Sequence, residues 1–299
     1  MEKKLRGTIV PPLTPFRDGR VDYDALRAMV DYVVEDCNAS MVVAAGVEAQ
    51  EYQFLSLADR KELIAKTIEL VGGRRPVAVG ISHPSFATAI ELADFAEEKG
   101  ASALQLLAPM RPTGGVIKTS ELIAYFRAVL DRTSLPMMLY LNQGPGADPS
   151  VQATVELAKL DRIDFIKESS RDLARVSRLI FEIEHAGHAQ YFTTMQMWLA
   201  TLALGGSGVT VPPPAALITR RMFDAFEAGE FKEAARLQGQ LALFPARWME
   251  FGLAAVMKAA LTHLGVPSGD PYPPYEPVTG DALAALKAYL DTTDLPKKR

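Results

Sequence analysis

Two residues of this 299-residue chain could do chemistry together: a lysine and a tyrosine, each placed where an apolar run ends. In Ile163-Asp164-Phe165-Ile166-Lys167-Glu168-Ser169-Ser170 a mostly apolar stretch runs straight into Lys167. A lysine in line with a buried strand is costly unless its charge is paired or its amine is neutral. Desolvation favours the neutral amine, which can attack a ketone and form a Schiff base. The bland alternative is a lysine that snorkels to solvent or pairs with Glu168, and the segment alone favours that alternative. A second run, Met137-Met138-Leu139-Tyr140-Leu141, carries Tyr140 near its end. A phenol beside an imine-forming amine could shuttle a proton while the lysine holds the carbon skeleton. Taken alone, Tyr140 reads as a core aromatic.

What would bring these two side chains together is the order of elements. Eight short apolar runs begin at Gly7, Met41, Pro76, Ala103, Met137, Ile163, Gln190 and Gly205. Met41-Val42-Val43-Ala44-Ala45 is apolar throughout, as a strand buried on both faces should be. Between the runs lie segments of helical period. The first, 22–34, sets Leu26, Met29, Val30, Val33 and Val34 on one face, and the second is opened by Ser56 and closed by Gly72-Gly73. Strand-helix alternation of this kind reads as parallel βαβ units. An open doubly wound sheet would carry a glycine phosphate loop after its first strand, but Val10-Pro11-Pro12-Leu13-Thr14-Pro15 has no glycine. The expected fold is therefore α/β: a (β/α)8 TIM barrel over 1–228. A C-terminal helical extension over 229–299, with helices at 231–243, 248–264 and 281–290, would pack on it. Barrel chemistry sits at the carboxyl ends of the strands. Those ends offer Thr14, the stretch Gly46 to Glu51, Ser82 and His83, Met110 and Arg111, and Tyr140, Asn142 and Gln143. They also offer Lys167, Glu168 and Ser169, then Thr193, Thr194 and Gln196, and Thr210.

Composition removes several functions. The chain is 48% hydrophobic and 23% charged with a net charge of −4, an ordinary globular balance. Its only basic run is Lys297-Lys298-Arg299, so no nucleic-acid partner is expected. No apolar run reaches membrane-spanning length, and Met1-Glu2-Lys3-Lys4 leads into the first strand without a signal-peptide apolar region. Cys37 is the one cysteine; it reads as a small buried hydrophobe in a reducing, cytoplasmic protein. His83, His185, His188 and His263 lack metal-ligand spacing. Neither a metal nor a cofactor is expected.

Five segments together resemble the dihydrodipicolinate synthase and N-acetylneuraminate lyase family, which are pyruvate-dependent class I aldolases. They are Ile9-Val10-Pro11-Pro12-Leu13-Thr14-Pro15-Phe16, Glu51 with Leu55-Ser56, Leu139-Tyr140, Phe165-Ile166-Lys167-Glu168-Ser169-Ser170 and Gly205-Gly206-Ser207-Gly208-Val209. The resemblance covers most of the chain. It implies that Lys167 is the Schiff-base lysine, that Tyr140 protonates or deprotonates the bound substrate, and that the chain forms a homotetramer or homodimer.

The chain also departs from the family pattern. A Gly-Thr-Thr-Gly-Glu type loop usually follows strand two, and its hydroxyls bind the pyruvyl carboxylate and relay protons. Here Val47-Glu48-Ala49-Gln50-Glu51 stands in its place. Glu48 sets a carboxylate where a substrate carboxylate would be welcomed, and like charges in a dry pocket repel. Reorientation of Glu48 away from the site ranks first, ahead of a general-base role or a pairing with Lys167 or Arg111. No arginine follows Tyr140, and Pro109-Met110-Arg111-Pro112 replaces the synthase's tyrosine pair. Thr193-Thr194-Met195-Gln196 lacks the usual glycine and acidic residues, leaving Thr194 and Gln196 as substrate contacts alongside Glu48, Ala49, Asn142 and Thr210. Arg111 is the one cation that could replace the missing carboxylate grip. The function expected is a Schiff-base-forming class I lyase, an aldolase or dehydratase, acting on pyruvate or a 2-keto acid, not a standard dihydrodipicolinate synthase. A non-catalytic or regulatory 2-keto-acid-binding barrel that has lost the relay hydroxyls is the alternative. A phosphate-handling barrel using Gly205-Gly206-Ser207-Gly208 ranks last, because that loop precedes its strand.

Overall fold

The computed structural model describes residues 4–142 and 146–295. Gln143 and Lys297-Lys298-Arg299 lie outside the described residues. The apolar runs form eight strands: β1 (Gly7–Val10), β2 (Met41–Ala44), β3 (Val77–Gly80), β4 (Ala103–Leu107), β5 (Met137–Leu141), β6 (Ile163–Glu168), β7 (Gln190–Thr193) and β8 (Gly208–Thr210). They pair in parallel in chain order, and β8 closes on β1, giving a (β/α)8 barrel. The surrounding helices are α1 (Tyr23–Asp31), α2 (Leu57–Val71), α3 (Phe86–Glu98), α4 (Thr119–Leu130), α5 (Val151–Ala158), α6 (Leu173–Leu179), α7 (Trp198–Ala203) and α8 (Pro213–Glu227). Local chemistry starts several of them. The Asp22 carboxylate accepts from the N–H groups of Asp24 and Ala25 at the head of α1, and Ser56 caps α2. A two-strand hairpin, Phe16–Arg17 with Arg20–Val21, was not visible as a pattern in the sequence.

Strand side chains alternate between two cores. Ile9, Met41, Val43, Ala78, Ala103, Met138 and Phe192 point inward and fill the barrel, while Val10, Val42, Val79, Leu104, Leu139 and Ile166 face the helices. Gly208 makes room for this filling, since a β-carbon there would lie 2.3 Å from the Phe192 ring. Alternation breaks once, in β6. Met137 pairs with Ile163 but Met138 pairs with Phe165, so Asp164 is an extra residue in that strand. A bulge of one residue reverses which face every later side chain takes. From Phe165 onward, odd-numbered residues of β6 point inward, and Lys167 comes level with Tyr140.

After α8 come α9 (Phe231–Gly239), α10 (Leu253–His263) and α11 (Gly280–Leu290). The single helix expected over 248–264 is two elements. A 3-10 turn, Ala246–Phe251, ends at Gly252, whose φ of +80° suits glycine and stops the helical path before α10 starts. Lys258 of α10 is buried and ties this region to the barrel mouth. Its Nζ donates to Glu51 Oε1 at 2.5 Å, to Thr14 O at 2.8 Å and to Asp270 O at 2.7 Å. Glu51 Oε2 in turn accepts from Thr14 N. Three acceptors around one amine suit the ammonium form, so the pair is read as ionised despite burial drawing both groups toward neutrality. Among the described residues no helix is long and apolar enough to cross a membrane.

Candidate active site

Lys167 does not reach solvent. It is 1% exposed, and its Nζ donates to Ser169 Oγ at 2.9 Å and to Glu168 O at 3.4 Å. The pairing with Glu168 weighed from the sequence is not made. The Glu168 carboxylate faces the other way, accepting from Arg175 Nε at 2.8 Å, from Tyr191 OH at 3.1 Å and from Ser170 N at 3.1 Å. The bulge is the reason, because it sends 167 inward and 168 outward. Burial lowers the Lys167 pKa to about 8, against the opposing pull of Glu48 and Glu168 on the charged form. About a tenth of the amine is therefore neutral at pH 7, far more than for a lysine in water.

Tyr140 pairs with Lys167 in the β5–β6 register, and the amine lies 5.0 Å from the centre of its ring. Burial pushes the phenol well up, with Glu48 adding to the push and hydrogen bonds from Ser169 and Asn142 working against it. The phenol is thus a proton donor at rest. Ser169 Oγ lies 3.5 Å from Tyr140 OH, so one hydroxyl touches both the amine and the phenol.

The loop after β2 departs from expectation. Glu48 does not turn away: Gln105 Nε2 donates to its Oε1 at 3.2 Å, while its Oε2 is buried without a hydrogen-bond partner. Gln105 points inward from β4, and its Oε1 accepts from Val47 N at 2.9 Å, which fixes the orientation of the amide. The inward turn thus has a mate waiting in the barrel. Burial raises the Glu48 pKa, and Lys167 is the first of the influences that lower it. No direct ion pair joins the two. Ala45 and Gln50, at φ +50° and +54°, bracket the loop in left-handed conformations that cost side-chain-bearing residues energy. The first is held by a close approach, since a β-carbon on Gly80 would lie 2.1 Å from the Ala45 carbonyl oxygen.

The remaining candidates divide by position. Thr210 follows the inward parity of Gly208, and its Oγ1 is buried without a partner. Thr194 continues the parity of Phe192 and donates to Gln196 Oε1 at 3.4 Å. Asn142 is half-buried beside the phenol, and Ala49 is half-buried next to Glu48. Arg111 is apart from these. It is exposed, both Glu121 oxygens accept from its NH2 at 2.6 and 2.7 Å, and it lines an outer cavity of about 770 Å3 with Tyr52, Arg60, Ser82 and Leu107. Leu107 packs on Tyr140 and Val47, standing between that cavity and the phenol. Among the described residues no cluster of His, Cys, Asp and Glu could hold a metal ion.

Two residues that define the site were not singled out from the sequence. Gln105 had a signal: it is the one polar residue in Ala103-Leu104-Gln105-Leu106-Leu107, where a buried parallel strand should be apolar. Ser169 was noted at a strand end but had no distinguishing feature, because its role comes from where Lys167 and Tyr140 point.

Residues 4–293 match the family described as "Dihydrodipicolinate synthetase family". The 4-hydroxy-tetrahydrodipicolinate synthase of Polynucleobacter asymbioticus is 30% identical over 304 aligned positions, covering 98% of this chain and 96% of the relative. The protein of the same name from Pelobacter propionicus is 33% identical over 245 positions, covering 78% and 79%. Among solved structures, YagE, a prophage protein of the dihydrodipicolinic acid synthase family from E. coli K12 in complex with pyruvate, superposes with a TM-score of 0.89. Its identity is 25%, over 97% of this chain and 99% of that one.

Proposed function

The chain belongs to the dihydrodipicolinate synthetase family, a family of lyases of the class I aldolase type, and on that premise we propose that it is a Schiff-base-forming lyase. It would act on pyruvate or another 2-keto acid as an aldolase or dehydratase. The observation that carries this reading is the buried Lys167 amine beside the Tyr140 phenol on paired strands. The neutral amine attacks the keto carbon, water leaves, and the imine draws electrons from the bond to be broken. Tyr140 moves the proton. Glu48, Ala49, Asn142, Thr194, Gln196 and Thr210 surround the substrate in this reading. The unpaired Oε2 of Glu48, neutral when protonated, could donate a hydrogen bond instead of repelling a substrate carboxylate. Arg111 is a candidate only for the outer end of a longer keto acid.

Standard synthase activity is not proposed, although relatives carry that name. The arginine after Tyr140 and the paired tyrosines after β4 are replaced here, so the chain should not restore growth to a strain lacking 4-hydroxy-tetrahydrodipicolinate synthase. A cytoplasmic homotetramer or homodimer, divided after residue 228 into barrel and helical extension, belongs to the same reading. The test is intact-protein mass after cyanoborohydride treatment with pyruvate, then with a panel of other 2-keto acids. A reduced adduct on Lys167, absent from Lys167→Ala, supports the lyase. The strand-two loop, which has no hydroxyl between Val47 and Glu51, favours the non-catalytic binding barrel instead, and a folded protein that gives no adduct with any keto acid would select it.

A further inference from the structure

Between Val47 and Glu51 the loop after β2 carries no hydroxyl, yet imine formation needs a group that moves protons between nitrogen and oxygen. We propose that Ser169 is that group: a catalytic residue whose hydroxyl carries protons between Lys167 Nζ and the Tyr140 phenol. The proposal rests on the Schiff-base reading above and deepens it. Ser169 Oγ is 2.9 Å from Nζ and 3.5 Å from the phenol oxygen. Among the described residues it is the one side chain that hydrogen-bonds to both. Asn142 also touches the phenol, but an amide does not readily pass a proton on.

The position is built. Ser169 N donates to Leu141 O at 3.2 Å, pinning the residue to β5. On one side Glu168 is locked by Arg175 and Tyr191, and on the other Ser170 N donates to Glu168. The peptide carrying Ser169 is thus fixed at both ends, and only its side chain is free to turn between its two partners. The 3.5 Å separation is long for a hydroxyl pair and is of the kind that tightens when substrate is bound.

The steps balance as follows. Nζ forms a bond to C2 of pyruvate while the carbonyl π pair moves to oxygen. Ser169 takes one proton from the resulting ammonium and gives its own to Tyr140, whose phenolic proton goes to the alkoxide. The product is a neutral carbinolamine on Lys167, with the Ser169 hydroxyl and the Tyr140 phenol restored. Tyr140 then protonates the carbinolamine hydroxyl; the nitrogen lone pair expels water and leaves an iminium and a phenolate. The phenolate removes a proton from C3, giving the enamine and regenerating the phenol. The net change is protein amine plus pyruvate to enamine plus water.

The test follows exchange of the pyruvate methyl protons for deuterium in D2O by NMR, with cyanoborohydride trapping of the adduct in parallel. Compared are the unaltered protein, Ser169→Ala and Ser169→Thr. Loss of a positioned proton carrier slows a step by roughly a hundredfold or more. Ser169→Ala should therefore slow exchange by about that factor, while adduct still accumulates on long incubation. Ser169→Thr, which restores the hydroxyl, should recover exchange to within about fivefold. The proposal is overturned if Ser169→Ala exchanges within about threefold of the unaltered protein. It is also overturned if Ser169→Thr is as slow as Ser169→Ala, since the side chain would then be only a positioning residue. No adduct or exchange from the unaltered protein with any 2-keto acid removes the Schiff-base reading and this one together. A normal adduct with an indifferent Ser169 removes this one alone.

Discussion

Lys167 should titrate near pH 8, and the consequences can be worked out. A lysine in water holds its proton to 10.5, whereas burial lowers this one to about 8. That change corresponds to roughly 3 kcal/mol between the two protonation states. At pH 7 about a tenth of the amine is then neutral, roughly 300 times the share of an unperturbed lysine. The sign is fixed: the neutral, nucleophilic form increases as pH rises through 8, and further alkali adds little. Competitive acylation measures this directly. The protein meets a trace of acetic anhydride across the alkaline range, and the label on the Lys167 peptide is compared with that on exposed Lys232. Poor access to the buried amine lowers the absolute rate but leaves the midpoint unchanged. Replacing Glu48 by Gln removes the first of the charges that hold Lys167 protonated, so the midpoint should move lower still. A midpoint at or above 10, or one that rises in Glu48→Gln, would refute the account of a desolvated amine beside a buried carboxylate.

Three further outcomes are expected. Tyr140→Phe should still give a trapped Lys167 adduct, while methyl-proton exchange of pyruvate slows by about 10²–10⁴-fold; unchanged exchange would mean another group moves the proton. Lys258→Met leaves Glu51 buried without its ion-pair partner, at a cost of about 3–5 kcal/mol in urea unfolding. The double replacement with Glu51→Leu should recover most of that loss, and a single-variant loss below about 1 kcal/mol would mean that the clamp between α10 and the barrel mouth contributes little. Arg111→Ala should leave the apparent affinity for pyruvate within about twofold, because an exposed ion pair to Glu121 is worth at most about 1 kcal/mol. Tenfold weakening, measured from adduct yield against pyruvate concentration, would bring Arg111 into the small-substrate site.

The barrel was legible because its evidence is local and repeated. Eight apolar runs, each followed by a helical period and a stop such as Gly72, allow few other arrangements. The lysine and tyrosine were legible as residue types at strand ends. Glu48 was placed incorrectly for a definite reason. Its orientation depends on Gln105, 57 residues further along the chain, whose amide holds both Val47 N and the Glu48 carboxylate. The ion pair of Arg111 with Glu121 was not read from the sequence, because the two residues lie ten apart on either side of a loop rich in Pro and Gly. The helix break at Gly252 was passed over because glycine inside an otherwise helical pattern is often tolerated.

By itself the sequence determined the fold class, the family and the presence of an amine and a phenol near the carboxyl ends of neighbouring strands. Whether those groups face one another was a tertiary matter. Strict alternation from Ile163, which faces the helices, would have turned Lys167 toward the helices as well. The extra residue at Asp164 reverses that parity, sets Lys167 level with Tyr140 and brings Ser169 between them. A bulge is defined only by the register of two strands, and register depends on a partner that lies elsewhere in the chain.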